Sequence, residues 1–102
     1  MTEGEMKMIG ALSEQGARRV ENLVNKNAIG VFDVSNYVVR RPVSDLATDA
    51  AMVAEEVLAQ LAQCVASGRE VSRVRVPFIV DVHEAEGCRY VGAFVSVMQK
   101  AA

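Results

Sequence analysis

The residues best suited to chemistry cluster around a short acidic segment near the end of the chain. Imidazole, thiolate and carboxylate groups all bind metals, and the segment supplies Asp81, His83, Glu84, Glu86 and Cys88. His83 and Cys88 could approach each other across a turn. The segment has no CxxC or HxxxH spacing and no second histidine. We therefore expect a solvated acidic turn that holds no metal and no other cofactor.

A cysteine and a histidine could also form a nucleophile, but this reaction needs more than two side chains. The thiolate requires an oriented base, and an oxyanion requires donors. The sequence marks neither near Cys88. Glu55 and Glu56 do not form a facing acid–base pair, because adjacent residues of a helix diverge, and no glycine-rich phosphate loop occurs. We therefore expect a protein without catalytic machinery, not an enzyme.

Arginines are the second group with chemical potential, because a guanidinium fork binds phosphates and carboxylates. Arg73 and Arg75 lie two residues apart on a predicted strand, so they point to the same side. This arrangement suits the rim of an interface or an anionic ligand. The alternative is ordinary surface charge, paired with the carboxylates of Glu55, Glu70 or Asp81.

The composition indicates one globular domain without a preference for anionic partners. The chain has 102 residues, of which 51% are hydrophobic, enough for a core of its own. The net charge of −2 argues against nucleic acid and anionic membranes, whose binders carry a basic excess. No apolar stretch reaches the length of a membrane span, and no signal-peptide core is present. Two cysteines form no disulfide framework, so we expect buried free thiols in a soluble cytoplasmic protein.

Hydrophobic spacing predicts the order helix, strand, helix, strand, strand. Residues 1–5 are expected to be disordered. Apolar residues three and four apart predict helices over residues 7–25 and 46–66. Ser44 or Asp45 is expected to cap the second helix, whose apolar stripe places Val57 and Leu61 in the main core.

The remaining residues show the patterns of three strands, which complete the domain. Residues 28–40 predict a strand interrupted by a bulge or turn near residues 33–36, and residues 71–99 predict a long hairpin. This order predicts an α+β domain spanning residues 1–102, with two helices on one face of a small mixed sheet of three to four strands. The connection from the first strand through the second helix to the next strand favours a right-handed parallel crossover.

The order of elements resembles that of Alba-like nucleic-acid-binding proteins, in which one short strand precedes it. The resemblance is one of topology, and no motif carries it. It implies nucleic-acid binding. This stays the weaker alternative, because the basic loop that such proteins use has no counterpart in this sequence.

The register of the hairpin depends on its loop. A four-residue loop, residues 84–87, gives the helices an aliphatic face composed of Val74, Val76, Phe78, Val80, Val82, Val91, Ala93, Val95 and Val97. The opposite face then holds Arg73, Arg75, Pro77, Ile79, Asp81, Tyr90, Gly92, Phe94, Ser96 and Met98. A three-residue loop with Gly87 in a bulge would reverse the parity and leave Ile79, Val91, Val95 and Val97 on the second face. Pro77 lacks an amide hydrogen, which predicts an edge strand or a bulge there.

In either register the second face is too apolar for water, while one layer of helices covers only one face. We therefore predict a small self-associating module, a homodimer. Its contact surface comprises Ile79, Tyr90, Phe94 and Met98, with Arg73 and Arg75 at the rim. In the bulged register Val91, Val95 and Val97 take those places. The alternative is a small-molecule-binding domain, in which the same face curves around an apolar ligand and the arginines hold an anionic group.

Overall fold

The computed structural model describes all 102 residues and contains two helices and three strands. In chain order these are α1 (Glu3–Glu21), β1 (Phe32–Pro42), α2 (Leu46–Ala66), β2 (Val71–Ala85) and β3 (Cys88–Lys100). The sheet has the order β1-β3-β2, and β3 pairs antiparallel with both neighbours. The predicted α+β class, the order of elements and the C-terminal hairpin are confirmed.

The first two strands run parallel to each other but are not neighbours, because β3 lies between them. The helix α2 therefore connects two parallel edge strands, and the last strand fills the gap. All pairings between strands are antiparallel, where a mixed sheet was expected. The parallel pairing is confined to an isolated bridge between Val24 and Val71.

The core lies between the sheet and the two helices. The helix α2 begins and ends where its apolar spacing predicts, and its buried residues are Leu46, Asp49, Ala50, Val53, Ala54, Val57, Leu58 and Leu61. The helix α1 packs against both α2 and β2, so the two helices share one face of the sheet. That face contributes the buried residues Val91, Ala93, Val95 and Val97 of β3.

The helix α1 begins at Glu3, earlier than the predicted start at Lys7. The Thr2 hydroxyl accepts a hydrogen bond from the Glu5 amide at 3.1 Å, and the Glu5 carboxylate accepts one from the Thr2 amide at 2.9 Å. This reciprocal pair is a capping box. It makes residues 3–5 helical, whereas residues 1–5 were expected to be disordered because of their polarity.

The strand β1 is continuous, so the predicted interruption at residues 33–36 is wrong. Its register with β3 runs unbroken from the pair Phe32–Lys100 to the pair Pro42–Tyr90. Asn36 pairs with Ser96 on the face away from the helices. A polar residue on that face does not disturb the strand, because its side chain need not enter the core.

The irregularities lie in β2 instead. Its register against β3 shifts at three places between Val71 and Ile79, the last of them spanning Pro77. An edge strand with a bulge at this proline is what the missing amide hydrogen predicts. The shifts turn Val76 away from the helices, and it is 41% exposed beside Ser96. Its predicted place in the core is therefore wrong.

The hairpin turns through two residues, Glu86 and Gly87, between the paired residues Ala85 and Cys88. Their φ angles are 54° and 76°, and two successive left-handed residues are typical of the tight turn that matches strand twist. The predicted loop is longer by two residues, which preserves the parity of the strands. The alternative three-residue loop is wrong, since Val91, Val95 and Val97 are fully buried on the helix side.

Asp49 is buried, whereas its position in the hydrophobic pattern predicts the solvent-exposed side of α2. Its carboxylate accepts hydrogen bonds from the backbone amides of Ser44 at 2.8 Å and Asp45 at 3.1 Å. Arg41 Nε lies 3.0 Å from Asp49 Oδ1. The pKa of Asp49 is held below its usual range, first by the hydrogen bond from the Ser44 amide and then by the Asp45 amide and the Arg41 guanidinium. Asp49 thus fixes the chain that leads into α2. Asp45 is the N-cap residue, as predicted, but its side chain makes no capping hydrogen bond to the first turn.

Replacing Asp49 with asparagine is expected to destabilise the protein at neutral pH but not in acid. A carboxyl with a depressed folded-state pKa stabilises the fold above its unfolded pKa of about 3.9. That stabilisation disappears as the pH falls through the folded-state pKa. The difference in unfolding free energy between parent and Asp49→Asn should therefore shrink below a pH of about 4. Urea titrations across the acidic range measure this, and a difference that does not change with pH would contradict it.

Candidate functional site

The sheet face opposite the helices, called the outer face below, contains five rows of side chains to which all three strands contribute, and the two-strand pairs Phe32–Lys100 and Ala85–Cys88 lie beyond them. From one end of the sheet to the other the rows are Val34–Met98–Arg73, Asn36–Ser96–Val76, Val38–Phe94–Ile79, Arg40–Gly92–Asp81 and Pro42–Tyr90–His83. Five of the six predicted contact residues stand in these rows. The sixth, Arg75, reaches the same face, since its Nη1 donates to Ser96 Oγ at 3.4 Å. The structure therefore brings the six together on one surface.

The centre of the outer face is apolar and exposed. Val38 is 63% exposed, Val34 and Ile79 are each 48% exposed, and Phe94 and Met98 between them are half-buried. In the row Val38–Phe94–Ile79 all three strands contribute an apolar side chain. Because neighbouring strands are about 4.8 Å apart, these side chains form one contiguous patch.

Sequence reasoning missed three members of this patch, namely Val34, Val38 and Val76. A signal for the first two exists, because the even-numbered residues of β1 alternate with its helix-facing residues. The predicted interruption at residues 33–36 hid that alternation. Val76 gives no such signal, since only the register shifts of β2 turn it outward.

The hairpin end of the outer face is polar and internally paired. The guanidinium carbon of Arg40 lies 4.7 Å from the centroid of the Tyr90 ring, within the range of a cation–π contact. The His83 ring stacks on Tyr90 with centroids 5.8 Å apart and an interplanar angle of 18°. His83 Nδ1 is 3.9 Å from Asp81 Oδ2. Tyr90 therefore lies on the predicted surface but already contacts side chains of its own chain.

The arginines at the opposite end have no acidic partner. Arg73 stands beside Met98 and Arg75 bonds to Ser96, and no carboxylate lies within 4.0 Å of either guanidinium. The expected alternative of pairing with Glu70 or Asp81 does not occur within one chain. The outer face thus carries two unpaired positive charges, Arg73 and Arg75, at one end, and both Arg40 and Asp81 in one row towards the other.

No depression in the surface is centred on Phe94. The depressions flank α1, and one of about 440 Å³ lies between α1 and β2, lined by residues that include Ser13, Pro77 and Ile79. Ligand sites for small molecules are concave.

The acidic hairpin tip forms no metal site in this structure. No group of three or more His, Cys, Asp and Glu side chains lies close enough together to hold a metal ion. Both cysteines are free. Cys64 is half-buried and Cys88 is exposed beside the turn, so the expectation of a buried thiol at Cys88 is wrong. The short loop places Cys88 at the end of the sheet, beyond the reach of the helices.

Comparison with known protein families, with curated proteins and with solved structures finds no match to this chain. Neither helix is both long and apolar enough to cross a membrane.

Proposed function

We propose that this protein is a self-associating module whose copies pack through their outer faces. The observation that carries the proposal is the exposed apolar centre of that face, which is contiguous across all three strands. Exposed apolar patches of this kind on small domains mark contact sites, because covering them removes apolar surface from water. The helices cannot supply the cover, since both lie on the opposite face.

A second copy fits the outer face better than a small ligand does. The Cα atoms extend over 44 × 25 × 19 Å, and the broad side is large enough for the roughly 800 Å² that each partner of a standard interface contributes. Sheets pack face to face with their strands within about 30° of alignment. A two-fold axis then makes the same patch serve both copies.

The charges of the outer face favour one direction of packing. A two-fold axis between the faces, perpendicular to the strands and passing between the Ser96 and Phe94 rows, reverses the order of the rows. Arg73 then faces Asp81 of the partner subunit, which supplies the missing carboxylate. Met98 faces Gly92 of the partner subunit, where the absent side chain leaves room for the methionine.

Ile79→Glu tests the proposal. The side chain is 48% exposed in one chain, so a carboxylate stays solvated in the monomer but would be buried beside the apolar centre in the assembly. We expect the apparent dissociation constant to rise at least about 30-fold, the equivalent of about 2 kcal/mol at an interface anchor. Sedimentation or light scattering at a series of concentrations measures this.

The matched control is Ile29→Glu, the same change at an isoleucine that is 86% exposed in the connection before β1. This variant should associate as the parent does. A parent that is a single chain of 11.0 kDa at high micromolar concentration would refute the proposal. Equal effects of the two variants would show that net charge, not the outer face, governs association.

A further inference from the structure

The two edges of the sheet differ in how well they are protected from further strand pairing. The edge of β2 is irregular, with three register shifts and with Pro77, which has no amide hydrogen. The Ser13 hydroxyl of α1 accepts a hydrogen bond from the outward amide of Val80 at 2.9 Å. Register shifts, proline and a covering helix are the means by which proteins block strand addition. The edge of β2 is therefore closed.

The edge of β1 is open. At its two ends, the Ala101 amide donates to the Val31 carbonyl and the Val43 amide donates to the Arg89 carbonyl. In an antiparallel ladder the bonded residues alternate, so the odd-numbered residues of β1 bond to β3 throughout the unbroken register. The even-numbered residues point their amides and carbonyls outward, and no side chain of the chain bonds to them. This free edge comprises Val34, Asn36, Val38 and Arg40.

Exposed apolar side chains lie on both sides of the free edge. On the outer face these are Val34 and Val38. In the helix layer Met52 of α2 is 47% exposed, and its Sδ lies 3.4 Å from Arg41 Nη1 of β1. A lone peptide strand would pair with the edge but leave Met52 uncovered. A second copy of this chain, which has both a sheet and a helix layer, covers both sides.

We propose that β1 pairs antiparallel with β1 of a second copy about a two-fold axis at Tyr37, joining two sheets into one of six strands. This register maps the free edge onto itself: Val34 bonds to Arg40 of the partner subunit, and Asn36 bonds to Val38 of the partner subunit. Pro42, which has no amide, lies just outside the bonded stretch. Asp33 then stands opposite Arg41 of the partner subunit, and opposite charges in facing positions stabilise a strand pair.

The edge contact is compatible with the proposed packing of outer faces. The number of chains expected in the assembly rests on both contacts. Both two-fold axes pass between the rows of Asn36 and Val38, and perpendicular two-folds that meet close an assembly. Two six-stranded sheets then pack face to face with the helices outside. The parent protein should therefore contain four chains, each edge pair accounting for two.

Asn36→Pro tests the edge, but because Asn36 also stands on the outer face beside Ser96, its control must change the same side chain. The proline removes an outward amide that forms no bond within one chain, and Ser35 before it is already extended, as a residue preceding proline prefers. Asn36→Thr is the control, because it keeps the amide. By light scattering, Asn36→Pro should halve the parent's mass to two chains, Ile79→Glu should also give two, and the double variant should give one.

The two proposals fail separately in this experiment. If Asn36→Pro keeps the parent's mass, the edge inference is overturned while the face proposal stands on Ile79→Glu. If Ile79→Glu keeps the parent's mass while Asn36→Pro halves it, the face proposal fails and the edge contact is supported.

Hydrogen exchange of the Ile79→Glu protein gives a readout that does not depend on the proline variant folding. Its amides at Val34, Asn36, Val38 and Arg40 should exchange slowly at concentrations where two chains associate and quickly after dilution to one chain. Amides of α2 should not change. Rapid exchange of these four outward amides of β1 at both concentrations would overturn the inference.

Discussion

Replacing Leu61 with alanine should lower the free energy of unfolding by about 2–5 kcal/mol, the range for a leucine truncated in a packed core. Leu61 has no exposed surface and is the largest of the fully buried side chains. Its neighbours on α2, Val57 and Leu58, are also buried, so the helix cannot easily move to fill the cavity. Urea unfolding at one fixed protein concentration measures the loss, because the proposed self-association would make stability depend on concentration.

The control for this prediction is Gln60→Ala, one position away on the exposed side of α2. Surface substitutions of this kind usually change stability by no more than about 0.5 kcal/mol. A loss below about 1 kcal/mol for Leu61→Ala would show that the centre of α2 packs loosely, which would contradict the structure at its best-buried position.

Gly16→Ala should destabilise the protein, although alanine normally favours a helix over glycine by about 1 kcal/mol. A Cβ atom built at Gly16 would lie 2.1 Å from Cε1 of Phe78. The Phe78 ring is only 3% exposed, so relieving the overlap must displace a packed side chain. Overpacking of this kind costs about 1–3 kcal/mol, which outweighs the gain in helix propensity. Thermal and urea unfolding of the variant measure the net change.

A second background and a second glycine separate the two effects. In a Phe78→Leu background the ring is gone, and Gly16→Ala should become neutral or stabilising by up to about 1 kcal/mol. Gly10 lies on the same helix with no atom within 4 Å of a built Cβ, so Gly10→Ala should stabilise the parent by a similar amount. Stabilisation by Gly16→Ala in the parent would mean that Phe78 does not pack against this glycine.

The free edge and the outer face share one origin in this fold. A three-stranded sheet has a central strand and two edges, and α1 protects only the edge formed by β2. The edge of β1 and the whole outer face therefore remain without partners in a single chain. The proposed self-association would satisfy both, because the unpaired backbone groups and the apolar side chains would meet matching groups on another copy.

The sequence by itself determined the local elements. Regular spacing of apolar residues predicted α2 at its observed bounds, because a helical period repeats within a few residues and needs no distant information. The long hairpin and the edge position of Pro77 were also predictable, since a missing amide hydrogen excludes a central strand. Alternation left two parities of the hairpin open, and only the observed turn at Glu86 and Gly87 decided that Ile79 and Phe94 share a face.

Only the tertiary structure decided which elements meet. Val34 and Val38 join the outer face because β1 pairs with β3, a contact between residues about sixty positions apart. Val76 turns outward because bulges shift the register of β2, and Asp49 is buried because the chain before α2 brings amides and Arg41 to its carboxylate. The physical reason is that periodicity reports only local backbone geometry. Pairing, register shifts and buried charge depend on neighbours that are distant in the chain.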